Sequence, residues 1–162
     1  MNAEASPGSQ AYLAQLGAEA RRTGRPIALD SGPLIDYLSD LEPVSSLLDV
    51  ILRDPTVDVV LSAITLSEAL VRPAQDGNYM QVASLRDAVT FLPAVVVVDF
   101  DQAHAIETAF VRAQTRLKLP DAAVVASARR ANAFAILGND RQWRNKPLGV
   151  PYHHMDDILA LA

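Results

Sequence analysis

The chain has no cysteine among its 162 residues, so disulfides and thiolate metal sites are excluded, structural zinc included. It has no excess of positive charge: 14 Lys and Arg against 19 Asp and Glu leave a net charge of -5, without the broad basic field that gathers nucleic acid nonspecifically. A polyanionic partner must then be held by local basic patches or by metal ions. No apolar run approaches the ~18 residues of a membrane span. The opening MNAEASPGSQAYLAQLGAEARR lacks the basic start and continuous apolar core of a signal peptide. These absences predict a soluble, cytoplasmic protein with no membrane partner.

Half of the residues are hydrophobic, enough for a folded core, and the length suits one domain. Residues 1–25 read as an N-terminal extension. Its first ten residues are small and polar, as in a disordered segment, and AYLAQLGAEARR (11–22) has the spacing of a short helix. Residues 26–162 then alternate. PIALD (26–30), VDVVLSA (57–63), AVVVVD (94–99), AFAILG (133–138) and GVPYH (149–153) read as strands. Helical patterns lie between them at 33–40, 44–54, 78–92, 101–117 and 120–131, and another starts at TLSEALVRP and closes at Pro73. Short apolar strands without polar alternation, separated by helices, predict a parallel sheet covered on both faces, a three-layer α/β/α fold.

Ligands of open parallel sheets bind beyond the carboxyl ends of the strands, so acids placed there are the first site candidates. Asp30 ends the first strand and Asp140 follows the fourth in GND, while Glu68 and Asp121 sit in the opening turns of helices. Each also has a local explanation. Asp30 could cap the helix after it, Thr65-Leu-Ser-Glu68 matches a capping box, Asp121 suits a helix dipole, and Asp140 suits an Asx turn. What favours a joint site is the almost wholly apolar helix PDAAVVASA. It must be buried along its length, which carries the acid at its head into the sheet's edge region.

Four segments, IALDSGPLIDYL, LSAITLSEAL, LKLPDAAVVASARR and FAILGNDRQW, resemble the PIN domain family, the nuclease fold that includes VapC-type toxins of toxin–antitoxin pairs. The resemblance places the family's acids at Asp30, Glu68, Asp121 and Asp140, in order, and covers the chain from about residue 26 onward. It implies a ribonuclease that leaves a 5′-phosphate and a 3′-hydroxyl, a small antitoxin covering the acidic mouth with a basic side chain, and a homodimer. One position departs: Gly138 stands where the family commonly has Thr or Ser, two residues before the last acid.

Clustered carboxylates raise each other's pKa unless a cation intervenes, and oxygen-only donors suit Mg2+ or Mn2+. Such ions activate water and stabilise a leaving oxygen in phosphodiester hydrolysis. Asp30, Glu68 and Asp121 are the expected principal ligands, and Asp140 an outer or second-site ligand. Ser31 and Asn139 are supporting candidates. Arg112, Arg116, Lys118, Arg141 and Arg144 are candidate phosphate contacts for an RNA substrate, with Lys146 nearby and Trp143 offering a stacking surface, although a solvated helix face for the basic residues and a Trp packed in a crevice explain the same pattern. His153 and His154, adjacent on a strand, should face opposite ways and so not share a metal.

Two other readings compete. VVVVDFDQ resembles the opening motif of haloacid dehalogenase-type phosphatases, but Gln102 and Ala103 replace the required Thr or Val and too little chain follows. Asp99 and Asp101 then read as scaffold, capping the helix after them, with Asp99 at most peripheral to the acidic site. The second alternative is a catalytically weak PIN-like module that binds RNA or protein, which Gly138 and the acidic charge favour.

Overall fold

The computed structural model describes residues 4–162. Five strands, β1 (Ile27–Leu29), β2 (Val59–Ser62), β3 (Val95–Val98), β4 (Ala135–Gly138) and β5 (Tyr152–His154), form one sheet in the order β3-β2-β1-β4-β5. Every pairing is parallel. The runs of β1, β2 and β4 are apolar without alternation because both of their faces are covered, whereas the edge strand β3 leaves Val96 exposed. Ile27, Leu29, Val59, Leu61, Ala135 and Leu137 enter one core, while Ala28, Val60 and Ile136 enter the other.

The first core lies beneath α1 (Pro7–Thr23), α2 (Ser31–Leu38) and α3 (Val44–Leu52), with α4 (Ala63–Gln75), α5 (Tyr79–Thr90) and α8 (Met155–Leu159) at its margins. The second lies beneath α6 (Gln102–Thr115) and α7 (Leu119–Arg130). As its composition required, α7 is buried from Ala122 through Ala128. The architecture is the expected three-layer α/β/α fold.

Three local expectations are corrected. The N-terminal helix starts at Pro7, not residue 11, because Ser6 caps it by accepting the Ser9 N–H at 3.1 Å and Pro7 suits the first helical position. Its Leu13, Leu16 and Ala20 are buried in the first core, so residues 7–10 are ordered; the disorder expected of residues 1–3 lies outside the described residues. Helix α4 does not close at Pro73 but carries it internally. It also begins directly at the end of β2, where Ser62 caps it by accepting the Ile64 N–H at 3.1 Å.

Candidate functional site

The sheet order reverses at β1, whose neighbours β2 and β4 lead the chain to opposite sides. The crevice between the carboxyl ends of β1 and β4 is therefore the topological switch point, where parallel sheets bind ligands. Asp30 and Asp140 flank it.

Asp30 occupies the N-cap position of α2, yet its side chain makes no capping hydrogen bond. The capping explanation fails for it. The carboxyl is buried, and burial, together with the charges of Asp121, Glu68 and Asp140, pushes it up to about 7 against the opposing pull of the Ser31 N–H. Ser31, the first residue of α2, thus acts through its backbone.

Glu68 lies in the second turn of α4 rather than at its start, so the capping-box reading is overturned: Ser62, not Thr65, is the cap. Asp121 stands in the first turn of α7, whose N-cap is Lys118. Its carboxyl is raised by burial and by Asp140 and Glu68, while the charge and backbone N–H of Lys118 lower it. Asp140 is an Asx turn as expected on one side: one oxygen accepts the Gln142 N–H at 2.7 Å. Asn139 donates from its amide to Asp36 at 3.0 Å, and Gly32 gives it room, since a Cβ there would stand 3.1 Å from the Asn139 side chain.

Four elements thus bring four acids into one electrostatic neighbourhood centred on Asp30. They do not form a closed ligand set: among the described residues no three acidic or histidine side chains stand close enough together to hold an ion as they are. The donor chemistry nevertheless fits a hard divalent cation. A buried carboxyl loaded with like charge gains most from one, and all the donors are oxygens.

Of the basic candidates, Lys118 acts on Asp121 through its charge. Arg112 and Arg116 are exposed on and just after α6. Arg141 and Arg144 instead pair with Asp156 and Asp157 of α8, at 2.8 and 2.7 Å. Trp143 is not a stacking surface: the 3₁₀ turn Arg141–Asn145 rotates it into the second core, where it is fully buried. The two histidines have separate partners, as strand alternation required. His153 Nδ1 meets the Tyr12 hydroxyl at 2.8 Å, and His154 Nε2 meets the Asn139 carbonyl at 2.8 Å. Asp101 is a cap, accepting the His104 N–H at 2.6 Å.

Sequence reasoning missed Tyr152. Its hydroxyl donates to the Asp140 carbonyl at 2.9 Å, and its ring fills the space beside Gly138. The only sequence signal was the unexpected glycine.

Residues 27–147 match the PIN domain model, so the chain belongs to the PIN domain family. No curated protein matches it. Solved structures of similar fold include a toxin–antitoxin complex from Klebsiella pneumoniae, at 22% identity and a TM-score of 0.61 over 75% of this chain and 93% of that one. VapBC2 from Rickettsia felis, bound to a DNA fragment from its promoter, is 15% identical with a TM-score of 0.62 over 79% and 97%. FitAcB from Neisseria gonorrhoeae is 22% identical with a TM-score of 0.60 over 80% and 97%. At these identities the likeness concerns the fold.

Proposed function

We propose that this protein is a divalent-metal-dependent endoribonuclease and the toxin of a toxin–antitoxin pair. The observation that carries the reading is Asp30: a buried, uncapped carboxyl at the switch point, with the charges of Glu68, Asp121 and Asp140 directed onto it. Asp30, Glu68 and Asp121 would hold Mg2+ or Mn2+, with Asp140 farther out. The ion supplies an activated water and charge neutralisation at the phosphate. The chain's own part is to exclude bulk water at Asp30, to orient its carboxyl from the end of β1, and to present Lys118 to the substrate phosphates beside Asp121. The family resemblance supports RNA as substrate, with 5′-phosphate and 3′-hydroxyl products.

The partner proteins follow the same reading. The similar structures from Klebsiella pneumoniae and Rickettsia felis are complexes, and an acidic mouth suits a basic antitoxin side chain. A homodimer is supported by α5 and its C-terminal flank, where Tyr79, Met80 and Phe91 are more than 80% exposed.

One observation favours the second reading, a catalytically weak RNA- or protein-binding module: the acids do not stand as a closed ligand set. Incubation of the purified protein with RNA and Mg2+ or Mn2+, with and without chelator, separates the two. Ribonuclease action gives 5′-phosphorylated fragments only with metal; RNA that is bound but uncut at every metal concentration supports the module instead.

A further inference from the structure

Gly138 leaves a gap at the carboxyl end of β4, and the gap is filled from the neighbouring strand. A Cβ at position 138 would stand 2.9 Å from both Cε2 and the hydroxyl oxygen of Tyr152. A side chain at 138 and the Tyr152 phenol therefore cannot both occupy this place. We propose that Tyr152 is a positioning residue of the acidic site, its hydroxyl taking the space that a side chain at 138 would fill and fixing the turn that presents Asp140. The proposal deepens the metal-dependent reading of that site and rests on it for its functional consequence.

The hydrogen bonds show how the hold works. Tyr152 donates to the Asp140 carbonyl at 2.9 Å, and the Trp143 N–H reaches the same carbonyl at 3.2 Å. The Asp140 carboxylate accepts the Gln142 N–H at 2.7 Å through one oxygen, which leaves its other oxygen without a protein donor among the described residues. From two positions farther along β5, on the same face of the strand, His154 engages the Asn139 carbonyl at 2.8 Å. Two successive carbonyls at the fourth acid are thus held by alternate side chains of β5.

The tyrosine itself is well anchored. Its backbone is paired in register with Ile136 of β4, its ring lies 5.5 Å from that of buried Trp143, and His154 packs edge-on at 6.4 Å. A hydroxyl that only filled space would not need to end on the carbonyl of the acid.

Tyr152→Phe keeps the ring and removes the donor. In the full-length protein without metal, the proposal expects faster amide exchange at Gln142 and Trp143. It also expects about threefold to tenfold weaker Mn2+ binding by calorimetry, the loss typical of one hydrogen bond. For RNA cleavage, kcat should fall while KM changes little. A second pair of variants guards against mere loss of packing. Gly138→Ser should weaken Mn2+ binding in the wild-type background, where the ring must move, and strengthen it in a Tyr152→Ala background, where the space is free. Wild-type exchange and Mn2+ affinity in Tyr152→Phe, or additive effects of the two substitutions, would overturn the proposal. Faster exchange in a protein whose wild type neither binds Mn2+ nor cuts RNA would keep the tyrosine's hold on Asp140 and overturn the ribonuclease reading.

Discussion

The backbone N–H of Asp30 donates to the carbonyl of Leu137 at 2.9 Å, extending the β1–β4 ladder to the last residue before the site. This bond fixes the first acid beside the strand that delivers the fourth. The crevice between them is a property of strand order, and the carboxylates at its rim are what the sequence adds.

The raised Asp30 carboxyl makes stability depend on pH in a definite direction. Its native pKa of about 7 lies above the ordinary value of 3.8, so between these limits the folded protein holds the proton more tightly than the unfolded chain. Stability without metal should therefore fall as pH rises from about 4 to about 7, and Asp121, also raised, adds in the same sense. Mn2+ affinity should rise over the same interval, because the carboxyl must lose its proton to bind. Thermal melts at pH 5 and pH 8, with and without Mn2+, check both signs. A melting temperature that climbs toward pH 8 without metal would contradict the assignment.

The N-terminal helix should be part of the fold's stability although it precedes the family-matched residues 27–147. Leu13 is fully buried, and Gly17 lets α1 approach so closely that an added Cβ would stand 3.3 Å from Val57. Leu13→Ala should cost about 2–5 kcal/mol, as for other buried leucines, measured by denaturant unfolding. A cost near zero would mean the helix only leans on the domain.

The basic residues should separate into two groups. The Arg141 and Arg144 pairs with α8 are solvent-exposed, so Arg141→Ala and Arg144→Ala should each leave the melting temperature close to that of the wild type. Lys118→Ala should raise KM for RNA several-fold and weaken its salt dependence, since Lys118 stands beside Asp121. Equal kinetic effects from all three substitutions would return Arg141 and Arg144 to the phosphate-binding surface.

Asp101→Ala should cost about 0.5–2 kcal/mol through loss of the cap on α6 and leave cleavage unchanged. A loss of activity without loss of stability would move this acid from scaffold into the site.

The strands were legible because IAL, VVLS, VVVV and AILG are apolar runs too short for helices, and apolarity on both faces already implied two covering layers. Glu68 was singled out for its family position but misread locally. A capping box looks for a loop before the helix, and here β2 passes into α4 with Ser62 serving both. Trp143, set among charged residues, suits an exposed or a packed place equally until the tight 3₁₀ turn Arg141–Asn145 brings it, alone of five side chains, inward. Tyr152 was out of reach for a different reason: its meeting with Gly138 and Asp140 is created by the β4–β5 register, and periodicity along one segment carries no information about its neighbour.

If the proposed function holds, Asp30 and Asp121 belong to one metal-dependent hydrolytic centre. Parallel RNA cleavage by the wild type, Asp30→Asn and Asp121→Asn in Mn2+ tests it most directly, with folding of each variant verified by its melt. Cleavage by the wild type should be lost on chelation and reduced at least a hundredfold in both variants, a drop on the scale of other lost catalytic groups. Metal-dependent cleavage that persists in both folded variants would contradict it.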